Sequence, residues 1–181
     1  MVEYEEDYFT KSPYSPYIDW GFNKVRAQKI IDLTHPYSVL DVGCAYGYIV
    51  KRFLDMGIPA IGMDISHWCE SRNIIPEHFV RHDLRDTPYP FEDKQFSVLY
   101  CEGVLEHIEE EHIPKIMREF ERVALRRILQ ISLINHDGSK ETPGHICLKD
   151  HDWWFDRMPD HTWLFISPTG TQDGKVWLYK G

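Results

Sequence analysis

The sequence lacks the features that mark several classes of protein. None of its four cysteines belongs to a C-x-x-C pair, which excludes a zinc ribbon and a thioredoxin-type redox motif. Its apolar runs are much shorter than the roughly 18 residues that span a membrane. Its acidic first residues lack the basic and apolar regions of a signal peptide. We therefore expect no membrane contact, a cytoplasmic location and reduced, buried thiols.

Basic residues are scarce relative to acidic ones. Lys and Arg number 20 and Asp and Glu number 29, which gives a formal net charge of -9. A dedicated nucleic-acid-binding protein needs a basic face that displaces counterions, so we do not expect nucleic acid as a partner. The sequence has no P-loop lysine and no G-x-S-x-G turn, and it gives no support for phosphoryl or acyl transfer. Its length and composition fit one domain over residues 1–181.

Aromatic residues are concentrated at the N-terminus. The first twenty residues contain Tyr4, Tyr8, Phe9, Tyr14, Tyr17 and Trp20. Pro13 and Pro16 argue against a regular helix in this arm. Two interpretations remain open. The arm packs on the body of the protein through its rings, or it is a lid that closes over a ligand and expels water.

Strand and helix patterns alternate along the rest of the chain. Short apolar runs predict strands at 38–42, 60–65, 78–82, 96–101, 127–134, 162–166 and 175–179. Helical spacing of apolar residues predicts helices at 21–33, 48–56, 66–72, 113–124 and 152–158. This order predicts a doubly wound α/β fold, with a mostly parallel seven-stranded sheet and a C-terminal antiparallel hairpin. The ligand site is then expected at the carboxyl ends of the central strands.

The strongest motif is the turn D-V-G-C-A-Y-G, which begins at Asp41. Gly43 and Gly47 allow the backbone to bend and a ligand to approach closely. The carboxylate of Asp41 would repel a pyrophosphate and attract a cationic amino group. A dinucleotide-binding turn also requires glycine where this chain has Ala45 and Tyr48. The motif therefore argues against a nicotinamide cofactor.

This D-x-G-x-x-x-G turn resembles motif I of the class I S-adenosylmethionine-dependent methyltransferases, which usually carry a further glycine at the position of Ala45. The V-L-E-H-I stretch after the fourth strand and the H-I and W-W pairs near the C-terminus resemble the same family. The resemblance covers about residues 8–158. It implies a Rossmann-like fold, S-adenosylmethionine as cofactor and methyl transfer as the activity. The chain lacks the family's usual K-P-G-G turn before the fifth strand.

The resemblance also implies which residues bind the cofactor. Asp64 ends the second strand, where a carboxylate can accept both ribose hydroxyls. Asp83 follows the third strand, where the family contacts the adenine amino group. The full set of expected cofactor-binding residues is Tyr17, Asp41, Gly43, Cys44, Ala45, Gly47, Asp64, Ile65, Asp83, Leu84 and Cys101.

The loops after strands four and five carry the polar groups that we expect beside the transferred methyl group. They are Glu102, Glu106, His107 and His145. Three interpretations stay open: a histidine acts as general base, Glu106 and the two histidines hold a divalent metal, or the L-E-H stretch is structural. Metal-dependent relatives carry E-x-x-E-H here, but Gly103 replaces the first of those glutamates.

We predict that the acceptor is a hydroxyl group of a small molecule or sugar, because an acidic protein with aromatic flanks suits a polar acceptor better than a polyanion. Two alternatives are a non-catalytic methyltransferase-like binding module and a protein or RNA methyltransferase that needs a partner subunit.

Overall fold

A seven-stranded sheet forms the centre of the computed structural model, which describes residues 4–11, 17–19, 21–133, 144–157, 164–165 and 175–180. The strands are β1 (Val39–Val42), β2 (Ala60–Asp64), β3 (Phe79–Arg81), β4 (Phe96–Glu102), β5 (Ala124–Ser132), β6 (Leu164–Phe165) and β7 (Lys175–Lys180). Their order in the sheet is β3-β2-β1-β4-β5-β7-β6. Strands β1 to β5 are parallel, and β7 is antiparallel to both β5 and β6. The predicted fold class is confirmed.

Helices cover both faces of this sheet. They are α1 (Glu6–Lys11), α2 (Phe22–Thr34), α3 (Tyr48–Asp55), α4 (His67–Arg72), α5 (Ile113–Val123) and α6 (His151–Asp156). Phe53 of α3 shares one apolar cluster with Val98 and Tyr100 of β4. Leu99 and Cys101 point to the opposite face, because successive residues of a strand alternate, and they belong to the cluster that contains α5. Among the described residues, no helix is long and apolar enough to cross a membrane.

The N-terminal arm contains a helix that the sequence analysis did not expect. Helix α1 ends at Lys11, before the prolines at 13 and 16, so those prolines do not remove any of its hydrogen bonds. Phe9 is its buried residue. Tyr14 and Trp20, two of the aromatic residues of the arm, lie outside the described residues.

The passage from α5 into β5 also differs from the prediction. The helix ends at Val123 and the strand begins at Ala124, whose backbone is already extended at φ −132°. The sequence analysis placed the helix end at 124 and the strand start at 127. The chain has no glycine or proline at this junction, and the helix passes directly into the strand. Residue 134, the predicted end of this strand, lies outside the described residues.

Candidate functional site

A cavity of about 1350 Å³ opens at the carboxyl ends of β1, β2 and β4. Ligand pockets usually have volumes of about 300–1,000 Å³, so this cavity has room for a cofactor and a second molecule. Asp41, Asp64 and Asp83 all line it. The structure therefore brings together the three acids that follow successive strands in the sequence.

Asp41 occupies the cavity wall at β1. Asp41 is 3% exposed, and its Oδ2 atom has no hydrogen-bond partner among the described residues. Burial raises the pKa of Asp41 well above its usual value, and the nearby carboxylates of Glu102 and Asp64 raise it further. Arg26 opposes this effect and forms an ion pair with Glu102 at 2.7 Å. A ligand cation beside Asp41 would stabilise its ionised form.

The turn after β1 adopts the backbone that its glycines permit. Gly43 has φ +77°, and a Cβ atom there would lie 2.2 Å from Cγ2 of Val104. Ala45 has φ +49°, a left-handed conformation that costs an alanine roughly 1–2 kcal/mol. Its N–H nevertheless donates a hydrogen bond of 2.9 Å to Oδ2 of Asp64. The turn is thus tied to the end of β2.

Asp64 is oriented by backbone N–H groups. Its Oδ2 atom accepts from Ala45 N at 2.9 Å and its Oδ1 atom accepts from Ser66 N at 3.0 Å. Burial raises the pKa of Asp64, and these backbone hydrogen bonds oppose the rise. Each carboxylate oxygen has two lone pairs, so Asp64 keeps acceptor capacity for the hydroxyl groups of a ligand.

Asp83 is paired with a guanidinium. Arg85 Nη2 lies 2.7 Å from its Oδ2 atom, and Arg85 Nε donates to both of its carboxylate oxygens at 3.0 and 3.1 Å. Partial burial raises the pKa of Asp83, but the hydrogen bonds from Arg85 outweigh this effect and leave the pKa lowered. Asp83 therefore remains an ionised acceptor at the cavity wall.

The other expected cofactor-binding residues divide into two groups. Tyr17, Cys44, Ile65 and Leu84 line the cavity beside those described above. Gly47 and Cys101 do not line it. Gly47 instead ends the turn at φ +83°, where a Cβ atom would lie 2.4 Å from Ile75. Cys101 faces the α5 side of the sheet, whereas its strand neighbours Tyr100 and Glu102 line the cavity.

The N-terminal arm lies against the cavity. Both carboxylate oxygens of Glu5 accept from the first amides of α4, from His67 N at 3.0 Å and Trp68 N at 2.8 Å. Phe9 is buried in a cluster that includes Ala45 and Cys69, with Tyr17 packed against it. No sequence motif points to Glu5, because its role depends on a helix terminus more than sixty residues away in the chain.

Glu106, His107 and His145 come together at the other end of the cavity. The backbone carbonyl of Glu106 accepts from Ile146 N at 3.0 Å and from Cys147 N at 2.9 Å, which holds the segment after β5 beside the end of β4. The ring centroids of His107 and His145 are 4.6 Å apart. Burial lowers the pKa of His107, the Glu106 carboxylate opposes this and His145 adds to it. His107 is therefore neutral near pH 7 and able to accept a proton.

The metal interpretation requires a joint ligand set from Glu106, His107 and His145. Oε1 of Glu106 accepts a hydrogen bond of 3.1 Å from Ser132 N. Within the described part of the chain, no group of three His, Cys, Asp or Glu side chains is arranged to hold a metal ion. The choice among a histidine base, a metal site and a structural L-E-H stretch stays a prediction.

A family model and a curated protein are similar to parts of this chain. A family model described as a methyltransferase domain matches residues 39–126. A tRNA U34 carboxymethyltransferase of Nautilia profundicola is 32% identical over 107 residues, which are 56% of this chain and 34% of that protein. The chain thus spans about a third of the length of this curated relative.

Solved structures share the fold at low sequence identity. The PH0226 protein of Pyrococcus horikoshii is 14% identical with a TM-score of 0.71, over 96% of this chain and 97% of that chain. A SAM-dependent methyltransferase of Archaeoglobus fulgidus is 16% identical with a TM-score of 0.66, over 78% and 67% of the two chains. The glycopeptide N-methyltransferase MtfA, solved with SAM, is 11% identical with a TM-score of 0.63, over 87% of this chain and 92% of that chain. The matched domain and the shared fold confirm the resemblance carried by the turn at Asp41: residues 39–126 match a methyltransferase domain, and the chain has the fold of these SAM-dependent methyltransferases.

Proposed function

We propose that this protein transfers a methyl group from S-adenosylmethionine to a hydroxyl group of a small molecule or sugar. The observation that carries the proposal is the convergence of Asp41, Asp64 and Asp83, from the ends of three successive strands, on one cavity. A member of this family needs acceptors there for an amino group, a ribose and an adenine. The cavity supplies a carboxylate for each.

The cavity fits the cofactor chemically. Asp41 has a buried, unpartnered oxygen that suits the ammonium group of the methionine part. Asp64 is held by two backbone amides and suits the ribose hydroxyls. Asp83 and Leu84, one strand further along the sheet, suit the adenine. When bound, the cofactor supplies an electrophilic methyl group on a sulfonium.

The residues at the other end of the cavity suit the acceptor. His107 is neutral near pH 7, which allows it to take the proton of an acceptor hydroxyl, as a general base must. His145 packs edge-on against it and restricts the orientation of its ring. The ring centroid of Tyr4, in the arm, lies 5.4 Å from that of His107, so the arm shields this end of the cavity from water. These residues position the acceptor and hold its proton.

A nucleic-acid acceptor is disfavoured by charge, although one curated relative is named for its action on tRNA. The acceptor end of the cavity carries Glu106 and Glu109, and the whole chain has a net charge of -9. A polyphosphate approaching this surface is repelled unless a partner subunit supplies basic residues. We therefore keep a small, non-anionic acceptor as the proposal.

Calorimetry with S-adenosylhomocysteine tests the proposed cofactor site. We expect Asp64→Ala to lower the affinity at least tenfold, because it removes charge-assisted hydrogen bonds worth about 1.5–3 kcal/mol. Asp156→Ala is the matched control, since Asp156 is exposed on α6 and lies outside the cavity. Equal affinity in wild type and Asp64→Ala would remove Asp64 from the site. If the protein binds S-adenosylhomocysteine but does not turn over S-adenosylmethionine with any of a pool of small-molecule extracts, the result would favour a non-catalytic binding module.

A further inference from the structure

Glu106 presents a buried carboxyl oxygen without a hydrogen bond from the described residues at the acceptor end of the cavity. Glu106 is 1% exposed, and within the described ranges its Oε2 atom has no hydrogen-bond partner. Arg85, a cation on this side of the cavity, is already shared between Asp83 and Glu109, at 2.7 and 3.3 Å. A buried carboxylate with an unpaired oxygen is costly for a folded protein. Such a cost is offset when a ligand supplies the missing positive group.

Gln130 is a second, independent polar group without a partner in the same wall. Gln130 is fully buried, and neither its Oε1 nor its Nε2 atom forms a hydrogen bond with the part of the chain that the structure describes. Gln130 and Ser132 lie on the same face of β5, about 7 Å apart along the strand. Ser132 N is the donor that anchors Glu106, so the side chain of Glu106 is held at the same end of β5 that carries Gln130. Both residues line the cavity.

We infer that the acceptor subsite of this protein selects a molecule that carries a protonated amino group next to a hydroxyl group, as an amino sugar does. The inference deepens the proposed function and rests on it. The ammonium donates to Oε2 of Glu106 and to Oε1 of Gln130. The neighbouring hydroxyl accepts from Nε2 of Gln130. The rings of Tyr4 and His107 border this place, and aromatic rings favour a nearby cation.

A second ammonium site is compatible with the cofactor site. Asp41 belongs to β1, whereas Gln130 belongs to β5, and β4 separates these strands. Two strand spacings amount to roughly 10 Å, so the carboxylate of Asp41 and the amide of Gln130 serve different ligands. An anionic acceptor is repelled by Glu106. A neutral diol forms the hydrogen bonds but leaves the charge of Glu106 unpaired.

The test compares two probes that differ in one group, trans-2-aminocyclohexanol and trans-cyclohexane-1,2-diol. Their affinities are measured by NMR titration of the protein at pH 7, with and without saturating S-adenosylhomocysteine. We expect the amino alcohol to bind wild type at least tenfold more tightly than the diol. In Glu106→Gln this preference falls below threefold, with the affinity for the diol unchanged. Glu111→Gln, which removes a charge from an exposed residue outside the cavity, keeps the preference.

Equal binding of both probes, no binding of either, or a preference that survives Glu106→Gln would overturn the inference. Failure of S-adenosylhomocysteine to bind would instead contradict the proposed function. The titrations without S-adenosylhomocysteine would then still measure the preference for the amino alcohol.

Gln130→Met provides a second variant. We expect Gln130→Met to lower the affinity for the amino alcohol at least threefold and to leave S-adenosylhomocysteine binding unchanged. We also expect it to raise the Tm of the free protein by about 2–4 °C. A lower Tm would show that Gln130 has a structural role.

Discussion

Asp41 and Asp64 are both buried at the carboxyl edge of the sheet, but their carboxylates have different surroundings. Each oxygen of Asp64 accepts a hydrogen bond from a backbone N–H, whereas Oδ2 of Asp41 accepts none from the residues that the structure describes. Replacing a carboxylate by an amide therefore has opposite consequences at the two positions. We expect the carboxylate of Asp64 to stabilise the fold, and the carboxylate of Asp41 to contribute only to ligand binding.

We expect Asp41→Asn to be more stable than wild type by about 1 kcal/mol at pH 7. Burial raises the pKa of Asp41 from its ordinary value of 3.8, so the stability associated with its protonated form is present below about pH 4 and is lost as the pH rises. The advantage of the variant should therefore shrink as the pH falls towards 4. Urea unfolding at several pH values measures it, and a variant less stable than wild type at pH 7 would contradict this account.

Asp64→Asn is the matched comparison. Its amide nitrogen must face either Ala45 N–H or Ser66 N–H, and we expect a loss of about 1–3 kcal/mol in the free energy of unfolding. Both variants should bind S-adenosylhomocysteine less tightly than wild type. A stabilised Asp41→Asn that binds it normally would leave Asp41 without the ligand role proposed here.

The sequence predicts single residues well where a local motif places them. Asp41, Asp64 and Asp83 follow successive strands, so the parallel sheet alone brings them to one edge. Gln130 carries no such signal, because a glutamine within an apolar strand reveals its surroundings only once the neighbouring strands are in register. Cys101 shows the reverse case: strand alternation turned an expected cavity residue towards the core.

The N-terminal arm is the element whose role is most open to test. Glu5 joins it to the start of α4, and its aromatic residues contact both ends of the cavity. Sequence composition could suggest a lid but could not show the anchor. The contact depends on the position of a helix terminus that lies far away in the chain.

We expect Glu5→Ala to weaken S-adenosylhomocysteine binding about tenfold, because about 1.4 kcal/mol of docking energy for the arm is lost. Glu6→Ala is the control, since Glu6 is exposed in α1. Removing residues 1–15 should lower affinity and activity further while the fold is kept, as circular dichroism and unfolding curves will show. If the shortened protein binds and turns over normally, the arm only packs against the body.

At the scale of the whole molecule, alternating strand and helix patterns were enough to predict a doubly wound sheet. They could not show that β7 lies between β5 and β6, because the order of the last two strands depends on which strand pairs with β5.

The charge of the whole molecule also bears on ligand binding. The acidic chain surrounds its cavity with carboxylates, which suits a cofactor with a sulfonium and an ammonium group.

A crystal structure of the protein grown with S-adenosylhomocysteine tests the central claim most directly. The account predicts the ligand in the cavity at the carboxyl ends of β1, β2 and β4. Its ribose hydroxyls should lie within hydrogen-bond distance of Asp64, its ammonium group beside Asp41 and its adenine near Asp83. A ligand bound elsewhere, or one in the cavity that does not contact Asp64, would contradict it.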